Sequence, residues 1–148
     1  MRVALRALAL WCLAAAAGAQ EPPRLDELLR CDPERAMRLP LQSCQRNPAV
    51  DAGELAAAWA DWQRRNQGAA DAVRLSCRQQ WLQRGRAHGK TDAEALAPYE
   101  RAYASLDQLS AGAPPHDREQ CAALAGGLRE DVVSPPQPVA APGAENPR

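Results

Sequence analysis

The chain has 148 residues, of which 46% are hydrophobic but only 4% are aromatic, and it contains no phenylalanine. Its 18 basic and 18 acidic residues cancel at pH 7, which argues against a nucleic-acid-binding protein that relies on a strongly basic overall charge. The length fits one domain, and residues 20–133 hold few large apolar side chains: 13 Leu, 4 Val, 3 Trp, 2 Tyr and 1 Met. A core of that size predicts covalent reinforcement.

Residues 1–19 have the pattern of a secretory signal peptide. Arg2 and Arg6 precede or begin an apolar stretch, and the small residues Ala17 and Ala19 stand at positions −3 and −1 of a cleavage site. An uncleaved membrane anchor is the weaker alternative, because the apolar stretch falls short of the ~20 residues that span a bilayer. We therefore expect an exported chain, periplasmic or secreted, with no transmembrane segment after cleavage.

Four cysteines remain in the exported chain: Cys31, Cys44, Cys77 and Cys121. Their even number predicts two disulfides, whereas a zinc site is disfavoured because no C-x-x-C pair is present. Four cysteines allow three pairings. We expect Cys31–Cys44, because Pro40 turns the chain back between them, and Cys77–Cys121, because an up-and-down bundle brings both to a similar height.

The first helical segment is predicted over residues 24–39. A break is expected near Cys31, because Asp32 suits an N-cap and Pro33 suits the first position of a new helix. The segment is expected to end before Pro40, since proline disfavours the helical conformation of the residue before it.

Residues 41–49 are predicted to form a loop, and the second helix is predicted over residues 51–67. Asp51 and Glu54 have the spacing of a capping box at its start. Gly68 is expected to end this helix.

A third helix is predicted over residues 69–87, ending at Gly89, and is expected to be central. Its apolar residues fall on two nearly opposite sides, which is typical of a helix with neighbours on both. One side contains Ala70, Val73, Cys77 and Trp81, and the other contains Leu75 and Leu82.

The last two helices are predicted over residues 92–111 and 117–132. Thr91 and Asp117 are their expected caps, and Pro98 is expected to kink or interrupt the first of them. The final helix is expected to bury Cys121, Leu124, Ala125, Leu128 and Val132. Residues 134–148 contain five prolines and are predicted to be a disordered tail. The sequence thus predicts an all-α, disulfide-stapled bundle of five helical segments within residues 20–133.

No motif assigns a catalytic, cofactor-binding or metal-binding residue. The string from Gly85 to Thr91 ends like a phosphate-binding loop, but three residues instead of four separate its glycines and it follows a helix. Neither a G-x-S-x-G elbow nor a C-x-x-C-H haem signature occurs. We therefore expect a protein that is not an enzyme and has no cofactor, with its tryptophans in the core.

Basic residues are concentrated between residues 63 and 91, where the sequence has seven basic residues and one acidic residue, Asp71. One interpretation of this excess is a surface for an anionic partner, an acidic protein or an anionic envelope component, and not a nucleic acid. The favoured interpretation is that long arginine side chains cover a thin core and place their charge in water. The candidate surface consists of Arg74, Arg78, Arg84 and Arg86.

These features favour an exported helical binding protein, of the inhibitor or immunity type, in a bacterial envelope. The run from Cys31 to Glu34 is similar to the opening of lysozyme-inhibitor-like periplasmic helical proteins, but cap chemistry also explains these residues, so no function is taken from the resemblance. One alternative is a chaperone-like envelope stress protein, which would expose an apolar groove. Another is a small hydrolase, which would bring two carboxylates together in a deep pocket.

Overall fold

The computed structural model describes residues 22–136, and this part of the chain is all helical, with no strand. The predicted signal peptide and most of the predicted tail lie outside the described residues. The five helices are α1 (Leu25–Cys31), α2 (Pro33–Gln45), α3 (Ala52–Ala87), α4 (Asp92–Gly112) and α5 (Arg118–Glu130).

The predicted break near Cys31 is confirmed, but the predicted stop before Pro40 is wrong. The Asp32 carboxylate accepts a hydrogen bond from the backbone N–H of Arg35 and so caps α2. The helix then continues through Pro40 to Gln45, which also shortens the predicted loop. Because Leu41 and Cys44 are buried in this stretch, their packing offsets the backbone hydrogen bond that proline cannot donate.

The two helices predicted on either side of Gly68 are one helix, α3, of 36 residues. At 1.5 Å per residue it is ~54 Å long. Gly68 does not adopt the left-handed conformation of a helix end, which among the described residues occurs at Gly89, with φ of 71°. Asn66 and Ala70 are both buried, so packing holds the helix on each side of Gly68.

Side-chain caps begin α3, α4 and α5 at the predicted residues. Thr91 with Glu94 and Asp117 with Gln120 form complete capping boxes, and Asp51 accepts from two backbone N–H groups. Helix α4 continues through Pro98 with no gap. Helix α5 ends at Glu130, and the expected burial of Val132 is wrong because that side chain is 73% exposed.

Helix α3 packs against each of the other four helices, whereas α4 and α5 do not pack against each other. Two hydrophobic clusters result. The α2/α5 cluster lies along the first half of α3 and consists of Leu41, Cys44, Leu55, Ala58, Trp62, Ala70, Cys121, Ala125 and Leu128. The α1/α4 cluster lies along the second half and consists of Leu28, Cys31, Trp81, Leu96 and Tyr99, with Cys77 packed against it.

Both predicted disulfide pairings are wrong, although all four cysteines form disulfides. Cys31 is bonded to Cys77, which joins α1 to α3, and Cys44 is bonded to Cys121, which joins α2 to α5. Because α3 is continuous, Cys77 lies 25 residues beyond its start, in the half that contacts α1. Helix α5 packs on the other half, where Cys121 meets Cys44.

Candidate functional site

Two of the four candidate arginines are paired with carboxylates of the helices that pack beside α3. Arg74 donates to Glu34 Oε2 at 2.6 Å and also contacts Asp71. Arg84 donates to Glu27 Oε1 at 2.8 Å. These hydrogen bonds raise the pKa of both guanidinium groups, so both remain charged.

The other two candidate arginines lie near the start of α4. Arg86 makes two hydrogen bonds to the Asp92 carboxylate, each 2.9 Å long, and these lower the pKa of that acid. Arg78 is exposed, and its positive charge contributes to the same lowering. The four arginines therefore do not form one continuous charged surface. Arg74 pairs with α2 and Arg84 pairs with α1, whereas Arg86 pairs with α4.

A different set of exposed residues does share one face of α3. At about 100° per residue, its members fall within one third of the helix circumference, which is one side of a helix. This α3 outer face consists of Arg64, Gly68, Ala72, Leu75, Arg78, Gln79 and Arg86, all of them exposed. It extends ~33 Å along the helix axis, at 1.5 Å per residue.

Leu75 is the apolar side chain of the α3 outer face. It is 57% exposed, so the expectation that it contacts a neighbouring helix is wrong. Leu82, predicted on the same side, does pack against the α1/α4 cluster. Both leucines fit the apolar periodicity of α3, so the sequence alone does not distinguish exposed Leu75 from packed Leu82.

An open groove of about 390 Å³ lies between α1 and the second half of α3. Both sulfur-bearing residues of the Cys31–Cys77 disulfide line it. The remaining lining is polar, from Arg24, Asp26, Glu27, Arg30, Gln80 and Arg84. No sequence motif could have revealed this groove, because its two walls are about 50 residues apart in the chain and are brought together by the disulfide and by the hydrogen bonds of Glu27.

The predicted core role of the tryptophans is confirmed for Trp62 and Trp81, which are buried. Trp59 is partly buried and stacks on Trp62 with a centroid separation of 5.2 Å. Trp81 stacks on Tyr99 at 3.9 Å. These rings supply packing area that a chain without phenylalanine otherwise lacks.

The string that ends like a phosphate-binding loop is a helix end followed by a helix cap. The backbone N–H of Lys90 donates to Gly85 O, Gly89 has positive φ, and Thr91 caps α4. Within residues 22–136, no group of three or more His, Cys, Asp or Glu side chains is placed to hold a metal ion. In the same range, none of the helices combines the length and apolar character needed to cross a membrane.

Comparisons of the chain with protein-family models, with curated proteins and with solved structures found no match.

Proposed function

We propose that the chain is an exported helical binding protein that docks an acidic partner protein on the α3 outer face. An inhibitor or immunity-type protein of a bacterial envelope would act in this way, without chemistry of its own. The observation that carries the proposal is an exposed leucine, Leu75, beside exposed Arg78 on a helix held in place by a disulfide-bonded frame.

Rigidity supports a role in binding. Cys77 ties α3 directly to α1, and the Cys44–Cys121 bond joins the two helices that enclose the first half of α3. A surface already fixed in its bound shape loses little conformational entropy on association, so more of the contact energy appears as affinity.

The charge of the face supports an acidic partner. Arg64, Arg78 and Arg86 belong to it, and two of them contact exposed carboxylates, Asp61 and Asp92. Exposed ion pairs contribute little to stability, so the guanidinium groups can exchange these carboxylates for those of a partner. Arginine is one of the residue types enriched among those that dominate binding energy.

Leu109 provides an internal comparison, because it is even more exposed, at 72%, yet stands on α4 beside Asp107 instead of arginine. Among residues 22–136 the large exposed apolar residues are Leu25, Leu75, Leu109 and Val132; the three leucines lie on three different helices, and Val132 follows the end of α5. A chaperone-like function would call for a continuous apolar groove, so these scattered side chains give it no support.

Export is proposed on the pattern of residues 1–19 together with the two disulfides, which are typical of oxidising compartments. Intact-mass measurement of the chain recovered from periplasm or medium tests it. The mass of a chain that starts at Gln20 would support export with cleavage, and the mass of a chain that keeps Met1 would contradict this proposal.

The binding surface is tested with immobilised mature protein, residues 20–148, in wild-type form and as Leu75→Ser and Arg78→Glu. Leu109→Ser and Arg101→Glu on α4 are matched controls, since Leu109 and Arg101 are also exposed. Proteins captured from envelope extract are identified, purified and titrated against each variant. We expect an acidic partner whose affinity falls at least ~10-fold with the α3 variants, or ~1.4 kcal/mol, and not with the controls. Equal affinity for all variants would contradict the assigned surface.

A further inference from the structure

The two disulfides differ in their access to solvent. Cys44 and Cys121 are 0% and 1% exposed, so a dissolved thiol cannot reach their sulfurs in the folded protein. Cys31 is 7% exposed, and Cys77 is only half-buried. Because both line the 390 Å³ groove, the Cys31–Cys77 bond is open to a small molecule.

Charged groups around the groove favour a thiolate there. Arg24, Arg30 and Arg84 line it, against the two carboxylates of Asp26 and Glu27. Asp26 binds the first two arginines and Glu27 binds Arg84, which leaves one net positive charge in the lining. Nearby guanidinium groups stabilise the anionic form of a thiol, and the anionic form is both the attacking and the leaving group in disulfide exchange.

We propose that Cys31–Cys77 is a thiol–disulfide exchange site for small-molecule thiols, and that Cys44–Cys121 is not. The thiolate sulfur of the small molecule attacks Sγ of Cys77, the more exposed of the two residues. The disulfide breaks, and Cys31 Sγ leaves with the electron pair and takes a proton from water. The product is a mixed disulfide on Cys77 with a free thiol at Cys31.

A second small thiol completes the reduction. Its thiolate attacks the small-molecule sulfur of the mixed disulfide, and Cys77 leaves as a thiolate. Two small thiols are thereby oxidised to one disulfide, and the two electrons they lose reduce the protein disulfide to two thiols.

Opening this bond would affect α1 before any other helix. The helix has seven residues, and besides the disulfide it is held by buried Leu28 and by three side-chain hydrogen bonds, one of them the Arg84–Glu27 pair. Glu27 accepts from Trp81 Nε1 at 3.2 Å, and the Leu28 carbonyl accepts from the Tyr103 hydroxyl at 2.9 Å. The α2/α5 cluster would keep its own disulfide throughout.

The test treats native mature protein with reduced glutathione in the absence of denaturant. Samples are quenched with acid, alkylated with iodoacetamide and mapped by mass spectrometry. We expect a glutathione adduct at Cys77, with alkylated Cys31, to form at least ~10-fold faster than any modification of Cys44 or Cys121, because local access avoids global unfolding. Opening of both bonds at one rate, or an adduct first at Cys31 or Cys44, would overturn the proposal.

Two variants separate groove chemistry from simple exposure. Arg84→Gln should slow adduct formation about two- to threefold, because it removes a cation that stabilises the leaving thiolate. Arg101→Gln, at an exposed arginine on α4 outside the groove lining, should leave the rate unchanged. Equal rates for the two variants would show that the guanidinium groups of the groove play no part.

Discussion

The two halves of α3 organise two cores that are protected in different ways. In the α2/α5 cluster the disulfide is wholly buried, as are Trp62, Leu55 and Leu128. In the α1/α4 cluster a disulfide borders an open groove, and the packing centres on the stacked pair Trp81 and Tyr99. The same helix thus packs in one cluster whose disulfide is buried and in another whose disulfide is accessible to solvent.

Polar groups reinforce this difference. In the first half of α3, Asn66 donates to the Asp131 carbonyl at 3.0 Å and accepts from the Val133 N–H at 2.9 Å, while Arg65 donates to the Leu128 carbonyl. These bonds occupy backbone groups at the end of α5 that the helix itself cannot pair. In the second half, the contacts to α1 go to a side chain instead of the backbone, since Trp81 Nε1 and Arg84 both donate to the Glu27 carboxylate.

Removing the disulfides should give the largest effects and should separate the two halves. Restriction of the unfolded chain is worth ~4 kcal/mol for loops of this length. We expect Cys44→Ala with Cys121→Ala to cost about that amount or more, because buried packing is lost as well. Cys31→Ala with Cys77→Ala should cost ~2–4 kcal/mol, since α1 can loosen without the rest. Urea unfolding measures both, and an equal or reversed order would contradict the comparison.

Truncating one leucine in each cluster should give the next largest effects. Leu128→Ala empties a fully buried position and should lower the free energy of unfolding by ~2–5 kcal/mol. Leu28→Ala should cost less, because short α1 can detach locally. Leu109→Ala, at an exposed site, is the control and should change stability by no more than ~0.5 kcal/mol. Thermal unfolding measures these changes. A larger loss of stability for Leu28→Ala than for Leu128→Ala would show that α1 contributes more to global stability than the α2/α5 cluster does.

Two glycines of α3 should respond to alanine in opposite directions. A Cβ at Gly85 would overlap with Ala95 Cβ, so Gly85→Ala should force α3 and α4 apart and cost ~1–3 kcal/mol. A Cβ at Gly68 meets no atom within 4 Å, so Gly68→Ala should stabilise the helix by ~0.5–1 kcal/mol. Chemical denaturation reports both signs. A destabilising Gly68→Ala would mean that the helix is not continuous at that point.

Removing the Tyr103 hydroxyl should give a small effect with a defined pH dependence. Tyr103→Phe loses the bond to the Leu28 carbonyl and should cost ~1 kcal/mol at neutral pH. Burial, and then the nearby Asp32 carboxylate, raises the pKa of Tyr103 to about 12. The folded protein therefore retains a proton that the unfolded chain loses above pH ~10.

The wild-type advantage over Tyr103→Phe should consequently be complete below pH ~10 and should shrink as pH rises towards 12. Urea unfolding of both proteins at neutral and alkaline pH measures this difference. A gap that widens with pH would contradict the assigned environment of the hydroxyl.

Local chemistry in the sequence predicted the helix starts, whereas the helix ends depended on packing. Asp51, Thr91 and Asp117 cap where expected because a cap is decided by a few adjacent residues. Gly68 and Pro40 do not end helices because buried neighbours hold the chain helical around them, and such burial cannot be read locally.

The incorrect prediction of a helix end at Gly68 also explains why the predicted disulfide pairings are wrong. With a helix starting at residue 69, Cys77 stands near the level of Cys121, but in continuous α3 it lies ~38 Å from the helix start, in the other cluster. Local charge density alone points to the four candidate arginines. Their carboxylate partners on α1, α2 and α4 could not be assigned before the helices were placed.

The disulfide connectivity is the most direct test of two separately stapled clusters on one α3. Cleavage after arginine releases the four cysteines in four different peptides, residues 31–35, 39–46, 75–78 and 119–129. Non-reducing digestion and mass spectrometry therefore identify the linked pairs without ambiguity. We predict that peptide 31–35 is linked to 75–78 and that 39–46 is linked to 119–129. Linkage of 31–35 to 39–46, or of 39–46 to 75–78, would contradict the assignment of one disulfide to each half of α3.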